Sequence, residues 1–482
     1  MRGQESRVQP GILSFRMDAV IAIGAVVGLV WGAVVLLRGG LLAGSLLVLL
    51  AGCCFGHPFF HLATPLVPLT ADRLLLAVLV VQYAASRRLG LADPKPIRKA
   101  DLVLLAFLAT LAVSTFTHDW RADGSQPAAR LVFFYLMPLA IYWVVRQAPL
   151  NRGGVLCAFG ALAAFGVYLA FTAIAEAQGA WWAVYPKYVA SPEHAEFLGR
   201  ARGPLLNPTG GGILQGICLC ATLMWWPRVN RTGKLVLVVL ALVYCAGIYS
   251  TLTRCAWLGG VAGLGVLAGL SLPRRWSFTV LGGATLAGLL LVATQWENLL
   301  EFKRDVELDA SATAESARLR PLLAAVAWRM FLDRPLVGCG FGQYMHRSVD
   351  HISDRSSDLP LEKARPFVQH NVVLSLLTET GLVGAGLFVV LLALWGGDAW
   401  RLWKNRQAPL WVRQQGLLFL AALAVWFPNA MFHDVNIVPM INMLFFFLAG
   451  MTQALVPRAA LSAADDRAAQ RSGRFVPASA GA

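Results

Sequence analysis

"RPFVQHNVVLSLLTETGLVGAGLFVVLLALW", Arg365–Trp395, joins two kinds of sequence at one point. From Val372 to Trp395 the run is apolar and long enough, at ~1.5 Å per residue, to cross a hydrocarbon layer of roughly 30 Å. Ahead of it stand Arg365, His370 and Asn371. A segment bound for lipid that opens on an imidazole and an amide puts titratable chemistry at the membrane surface. If His370 lies in the first helical turn, ~3.6 residues per turn carries its face through Leu374, Leu377, Gly381 and Gly384. The glycines would then admit a second helix or a lipid chain. Glu379 falls half a revolution away and roughly 13 Å deeper, so its expected role is structural, as a carboxyl hydrogen-bonded inside a bundle.

Similar runs fill the chain: Ala19–Leu37, Leu41–Phe55, Leu74–Ala85, Leu102–Thr117, Leu131–Val145, Val155–Ala175, Gly210–Trp226, Leu235–Ser250, Ala256–Leu272, Phe278–Thr294, Gly416–Pro428 and Val435–Val456. Composition agrees, since 57% of the 482 residues are hydrophobic and only 14% charged. A water-soluble chain of this length needs far more polar surface. The fold class expected is all-α and polytopic.

A net charge of +15 invites a nucleic-acid reading, but the basic residues form no continuous stripe. They sit in short loops: Arg87, Arg88, Lys95, Arg98 and Lys99; Arg146 and Arg152; Arg228, Arg231 and Lys234; Arg274 and Arg275; Arg401, Lys404 and Arg406. That is the pattern of loops retained in the cytoplasm, so membrane lipids are the partners and nucleic acid is not. From Asp101 onward the alternation is regular. The segments at 118–130, 176–209, 251–254, 295–370 and 429–434 then fall on the outer side. Before Asp101, three apolar runs precede the first basic loop. Either the N-terminus is outside, giving about thirteen crossings, or one run fails to cross, giving about twelve. The prolines of "GHPFFHLATPLVP" (56–68) favour twelve. The eight cysteines show no framework spacing, and no cleavable leader is evident.

Four stretches result: an N-terminal bundle (1–294), a long external loop (295–370), C-terminal membrane helices (371–456) and a disordered cytoplasmic tail (457–482). The loop carries ten Lys/Arg against eleven Asp/Glu, and its "RLRPLLAAVAWRMFLDRP" reads as an interfacial helix stopping before Pro335.

Cations recur at the outer mouths of the helices: Arg202 in "RARGPLLNPTGGG", Arg254 in "STLTRCAWLGG", Arg318 and Arg320 in "ESARLRP", and His370. A guanidinium presents a planar fork of donors suited to phosphate oxygens, although arginines at helix ends also snorkel or pair with carboxylates. Histidine has the titration range for proton transfer near neutrality. "GCGFG" (338–342) imitates a phosphate loop without the βαβ setting such a loop needs, so a tight turn under the interfacial helix is expected. His346, Asp350, His351 and Asp354 lack the spacing of a metal site and are expected as solvated loop residues. His433-Asp434 supplies a lesser polar pair.

"RARGPLLNP", "STLTRCAWLGG", "ARLRPLLAAVAWRMFLDRPLVGCGFGQY" and "QHNVVLSLLTETGLVG", with the long loop before the His-Asn pair, resemble the O-antigen ligase and polymerase superfamily over about residues 70 to 455. The resemblance implies a fold like the C-type membrane glycosyltransferases, with about twelve crossings and one long periplasmic loop. It implies a bacterial inner-membrane enzyme that moves a polysaccharide from undecaprenyl diphosphate to a sugar hydroxyl of the lipid A core, with no metal or other cofactor. Carried over by motif, Arg254 and Arg318 would hold the diphosphate, with Arg202 and Arg320 beside them, His370 would be catalytic and Asn371 supporting. An aromatic common in the family is replaced by Leu322, which leaves Arg318 and Arg320 as alternatives. Polymerisation or transfer to protein would use the same chemistry with another acceptor. A transporter would place its charges near the midplane instead.

Overall fold

The structure, a computed structural model, describes residues 39–56, 58–59, 61–62, 69–122, 125–194, 197, 199–279, 282–283, 286, 290, 293–294, 310–353, 360–365 and 367–471. Side chains at 62, 69, 310–318, 437 and 458–471 are not among those described. The run at 19–37 and most of 278–294 therefore lie outside the described residues, and with them the choice between twelve and thirteen crossings.

Among the described residues the chain is helical apart from a two-residue antiparallel pairing, His61–Leu62 with Leu69–Thr70. The helices are α1 (Gly39–Cys54), α2 (Ala71–Arg88), α3 (Lys99–Phe116), α4 (Pro127–Arg146), α5 (Arg152–Ala177), α6 (Pro208–Leu223), α7 (Arg231–Ser250) and α8 (Arg254–Ser271). They continue with α9 (Ala310–Asp333), α10 (Tyr344–Ile352), α11 (Val372–Lys404), α12 (Leu410–Phe432) and α13 (Pro439–Arg471). Eight are long and apolar enough to cross a membrane: α3, α4, α5, α7, α8, α11, α12 and the Pro439–Pro457 part of α13. The chain is a multi-pass membrane protein. α13 continues as helix into the stretch expected as a disordered tail, because its Ala-, Arg- and Gln-rich composition combines low hydrophobicity with high helix propensity.

α6 is the central post. Every residue from Pro208 to Thr222 is buried, against α5, α7, α8 and α12. Its short length sets it apart from the neighbours that enclose it. α8 meets α12 closely through small residues: a Cβ on Gly259 would lie 2.6 Å from the Val425 carbonyl oxygen. On the other flank α11 packs on α3 and α12, and α13 on α4. Trp395, Tyr142, Phe419, Phe445 and Phe446 interlock there, with Trp395 and Phe446 ring centroids 5.3 Å apart.

Antiparallel neighbours give the bundle two ends. At one, Arg146 pairs with Asp101 at 2.6 Å, and Arg98 bonds Asp398 and Gln453. Arg146, expected in a short basic loop, closes α4 and is fully buried, since Asp101 satisfies its charge. At the other end lie the close of α5, the opening of α6, the α7–α8 turn, the opening of α11 and the close of α12.

α9 occupies the place expected for the amphipathic helix and ends at Asp333, ahead of Pro335. The glycine segment after it turns, and also reaches the middle of α11. α11 is broken at Gly381 (φ 63°, ψ −162°), which frees backbone groups in the middle of an apolar helix. The 335–340 strap fills the break: Cys339 N–H donates to Thr378 O (2.9 Å), Gly340 N–H to Glu379 O (3.0 Å), and Leu382 N–H to Pro335 O (2.8 Å). Groups that lipid could not satisfy are satisfied by protein. Phe341 follows into the main core beside Tyr135. Gly381 admits this strap rather than the neighbouring helix or lipid chain expected from its face, as a Cβ there would stand 2.3 Å from Leu336 backbone.

Candidate active site

His370 is not in a helical turn. Its φ of 51° is left-handed, a conformation uncommon outside glycine and costing on the order of 1–3 kcal/mol. α11 begins only at Val372, capped by Asn371, whose Oδ1 accepts from Leu374 N–H at 2.9 Å. A first-turn face running from His370 through Leu374 and Leu377 is therefore replaced by an imidazole on a strained shoulder above the helix. The Asn371 amide also donates to Met431 O (2.9 Å), fastening the opening of α11 to the close of α12. The polar pair that opens the segment thus divides its work: one residue caps and ties, the other is held out.

Arg320, on α9, reaches the same place. Its guanidinium donates to the His370 carbonyl at 3.4 Å and to the carbonyl of Phe432. His433, next along, sets its ring 5.8 Å from the His370 ring at 78°. Arg320 also lies within electrostatic reach of Cys255, the neighbour of Arg254 in the first turn of α8. Residues distant in sequence, 254–255, 320, 370 and 432–434, are thereby gathered at one end of the bundle. Arg318 shares α9 with Arg320, and its side chain lies outside those described.

Arg202 has other company. Its side chain is 0% exposed; Nε bonds Glu176 Oε1 at 3.1 Å, and its terminal nitrogens donate to the carbonyls of Val189 and His194. Glu176 Oε2 also accepts the backbone N–H groups of Arg202 and Gly203. The expectation that Arg202 faces a diphosphate gives way to a buried ion pair that folds the 178–207 connection back onto α5. Arg200 is the residue of this connection that approaches α8, through Thr251 O (3.2 Å) and Thr253 Oγ1 (2.7 Å). It braces the turn from which Arg254 emerges.

Burial, with the Arg320 charge beside it, pushes the His370 imidazole down to about 4. At neutral pH the ring is uncharged and keeps a lone pair for a proton. Beneath it, Ser375 bonds Asp434 (3.4 Å), and burial lifts the Asp434 carboxyl to about 6 against the opposing pull of Arg130. Arg130, at the start of α4, pairs with Glu379 at 3.2 Å. Glu379 is thus an ion-paired anchor; the expectation of a structural carboxyl acquires a partner that pattern reading overlooked. Among the described residues no three His, Cys, Asp or Glu side chains are placed to hold a metal ion. His351 of the loop instead bonds Asp333 at 2.6 Å.

Sequence reasoning missed Arg130 and Arg200, and ranked His433, whose ring lies beside that of His370, below it. The signals were faint: an arginine at the head of an apolar run and the other arginine of "RARG".

The O-antigen ligase family matches residues 235–389, from α7 to the middle of α11. A stretch of 173 residues, 35% of this chain, is 31% identical to the O-antigen ligase of Salmonella typhimurium and covers 41% of that protein. The aligned part thus spans less than half the length of the relative. The matched segment carries Arg254, Arg318, Arg320, the strap that fills the α11 break and His370; over that segment the chain is similar to the O-antigen ligase family.

Proposed function

We propose that the chain is an O-antigen ligase of the bacterial inner membrane, with its site at the periplasmic face. It transfers a polysaccharide from undecaprenyl diphosphate to a sugar hydroxyl of the lipid A core, without a metal. The observation that carries this reading is the placement of a neutral imidazole, His370, beside a guanidinium, Arg320, at the end of the bundle opposite the basic loops.

The acceptor oxygen attacks the anomeric carbon of the donor while the bond to the diphosphate breaks and its electron pair leaves with the diphosphate. Arg254, Arg318 and Arg320 receive the charge developing there, the part that fixed donors stabilise most. His370 takes the acceptor proton, a contribution worth about 10²–10⁴-fold. A single displacement inverts the anomeric centre. An imidazole near 4 is a weak base in the empty site. A bound diphosphate offsets the Arg320 charge and returns the ring toward its ordinary range, so the donor itself prepares the base. Arg202 and Asn371 act by position, one holding the 178–207 connection and the other the shoulder that carries His370. A site at a helix mouth suits two amphiphilic substrates, since both present their sugars at the surface of the bilayer.

The test is transfer by purified full-length protein in vesicles, with lipid-linked glycan of defined anomeric configuration, lipid A core, another repeat unit or a protein as acceptor, and a chelator present. Arg254→Ala, Arg318→Ala and Arg320→Ala are expected to bind donor poorly, whereas His370→Ala binds it and does not turn over. Product on lipid A core with inverted linkage is the expected outcome. Undiminished turnover by His370→Ala would remove the imidazole from the mechanism, and transfer only to another repeat unit would make the enzyme a polymerase.

A further inference from the structure

One cavity lies away from the cradle. A groove of about 820 Å³ lies at the opposite, basic end, between the close of α6, the second half of α8 and the start of α12. Val261, Leu264, Ala268 and Leu272 form one apolar wall, with Trp226 and Gln414 at its mouth. From Val261 to Leu272 the wall runs roughly 16 Å along the helix axis, the length of a good part of an acyl chain.

Two features of the mouth are unexplained by the fold. Gln414 is 4% exposed; its Nε2 donates to Met224 O at 2.7 Å, while its Oε1 is buried with no hydrogen-bond partner. A buried amide oxygen at the head of an apolar groove calls for a donor from whatever fills it. The second feature is charge. Arg228 lies within electrostatic reach of Arg152, and Lys234 stands over the Trp226 ring at 5.6 Å. Arg274 and Arg275 follow Leu272, and no residue between Glu196 and Glu297 is acidic. Cations at a membrane surface attract anionic headgroups.

An apolar trough, a hydrogen-bond acceptor and nearby cations match the three parts of one molecule. We infer that this groove is a binding site for phosphatidylglycerol, with an acyl chain along α8, the phosphate at Arg228 and a headgroup hydroxyl donating to Gln414 Oε1. The site is remote from the proposed transfer chemistry and does not depend on it. Its occupant would be a resident lipid of the inner leaflet rather than a substrate, wedged where α8 and α12 part.

Native mass spectrometry of the delipidated full-length protein, titrated with phosphatidylglycerol or phosphatidylcholine, tests this without reference to activity. The expected result is at least about 10-fold tighter phosphatidylglycerol binding. Arg228→Gln should weaken it about 10-fold, as for a charge-assisted hydrogen bond, and Gln414→Leu about 5-fold, as for a neutral one. Arg228→Lys should recover part of the loss. Ala268→Phe, which fills the trough, should weaken both lipids with the protein still monodisperse and its melting temperature in detergent unchanged. Equal binding of the two lipids would overturn the proposal. So would an unaffected Ala268→Phe protein, which would reduce the interaction to surface charge, or an unaffected Gln414→Leu protein, which would leave the headgroup contact without a basis.

Discussion

At the scale of single residues, His370 is held neutral by two causes that a donor would change unequally. Burial persists when the site fills, but the Arg320 field is offset by a bound diphosphate. The acid limb of kcat/KM, which reports the free enzyme, is therefore expected near 4, and the limb of kcat at higher pH. Initial rates of transfer from pH 3.5 to 8, at low and at saturating donor, measure both; coincident limbs, or a kcat limb on the acid side, would contradict the account. Linkage has the matching sign. A histidine lowered on folding contributes stability that is complete above its ordinary value of 6.5 and is lost as pH falls toward 4. The positions of His370 and Arg254 at helix mouths were legible in the sequence, because a polar residue at the end of an apolar run marks the end of the span. Arg202 was legible in the same way and differs, because its partner Glu176 stands far enough along the chain that only the fold brings the two together.

At the scale of elements, the join between the 335–340 strap and α11 is the departure from pattern. Hydropathy reads 372–395 as one helix, and a glycine segment before it as a turn. Neither reading contains the fact that each supplies what the other lacks: amides of the strap meet carbonyls before the break, and carbonyls of the strap meet amides after it. Gly338 has φ 73°, and a Cβ there would lie 2.4 Å from the Glu379 carbonyl carbon. Gly338→Ala is expected to cost about 2–4 kcal/mol, combining backbone strain with overpacking against atoms that cannot yield. Thermal unfolding in detergent gives the value. A variant as stable as the parent would mean that the strap is not seated in the break. Transfer activity should fall with stability, since the strap links α9, which carries Arg320, to α11.

At the scale of the whole molecule, a buried charge network unites α4, α11 and the α12–α13 connection. Arg130, its side chain 18% exposed, stands between Glu379 and Asp434. Arg130→Met leaves two buried carboxyl groups without their cation and is expected to destabilise by about 3 kcal/mol. The triple variant with Glu379→Gln and Asp434→Asn should recover much of that loss; chemical denaturation of the three proteins in the same detergent decides. Asp434 gives the opposite pH sign to His370. Its carboxyl is raised from 3.8 to about 6, so its neutral form favours the folded state below 3.8, and that contribution is lost as pH rises through 6. Asp434→Asn should flatten the stability profile between pH 4 and 7 relative to the parent. The sequence by itself determined that the chain is a helical membrane protein, since apolar length must match bilayer thickness whatever the packing. It also determined that cations mark the helix mouths, because charge is confined there by the cost of burying it. Which of those cations meet an imidazole, which are spent on buried carboxylates, and how the break in α11 is filled were decided by the tertiary structure alone. Pairings across hundreds of residues depend on distances in space, and periodicity along the chain carries no record of them.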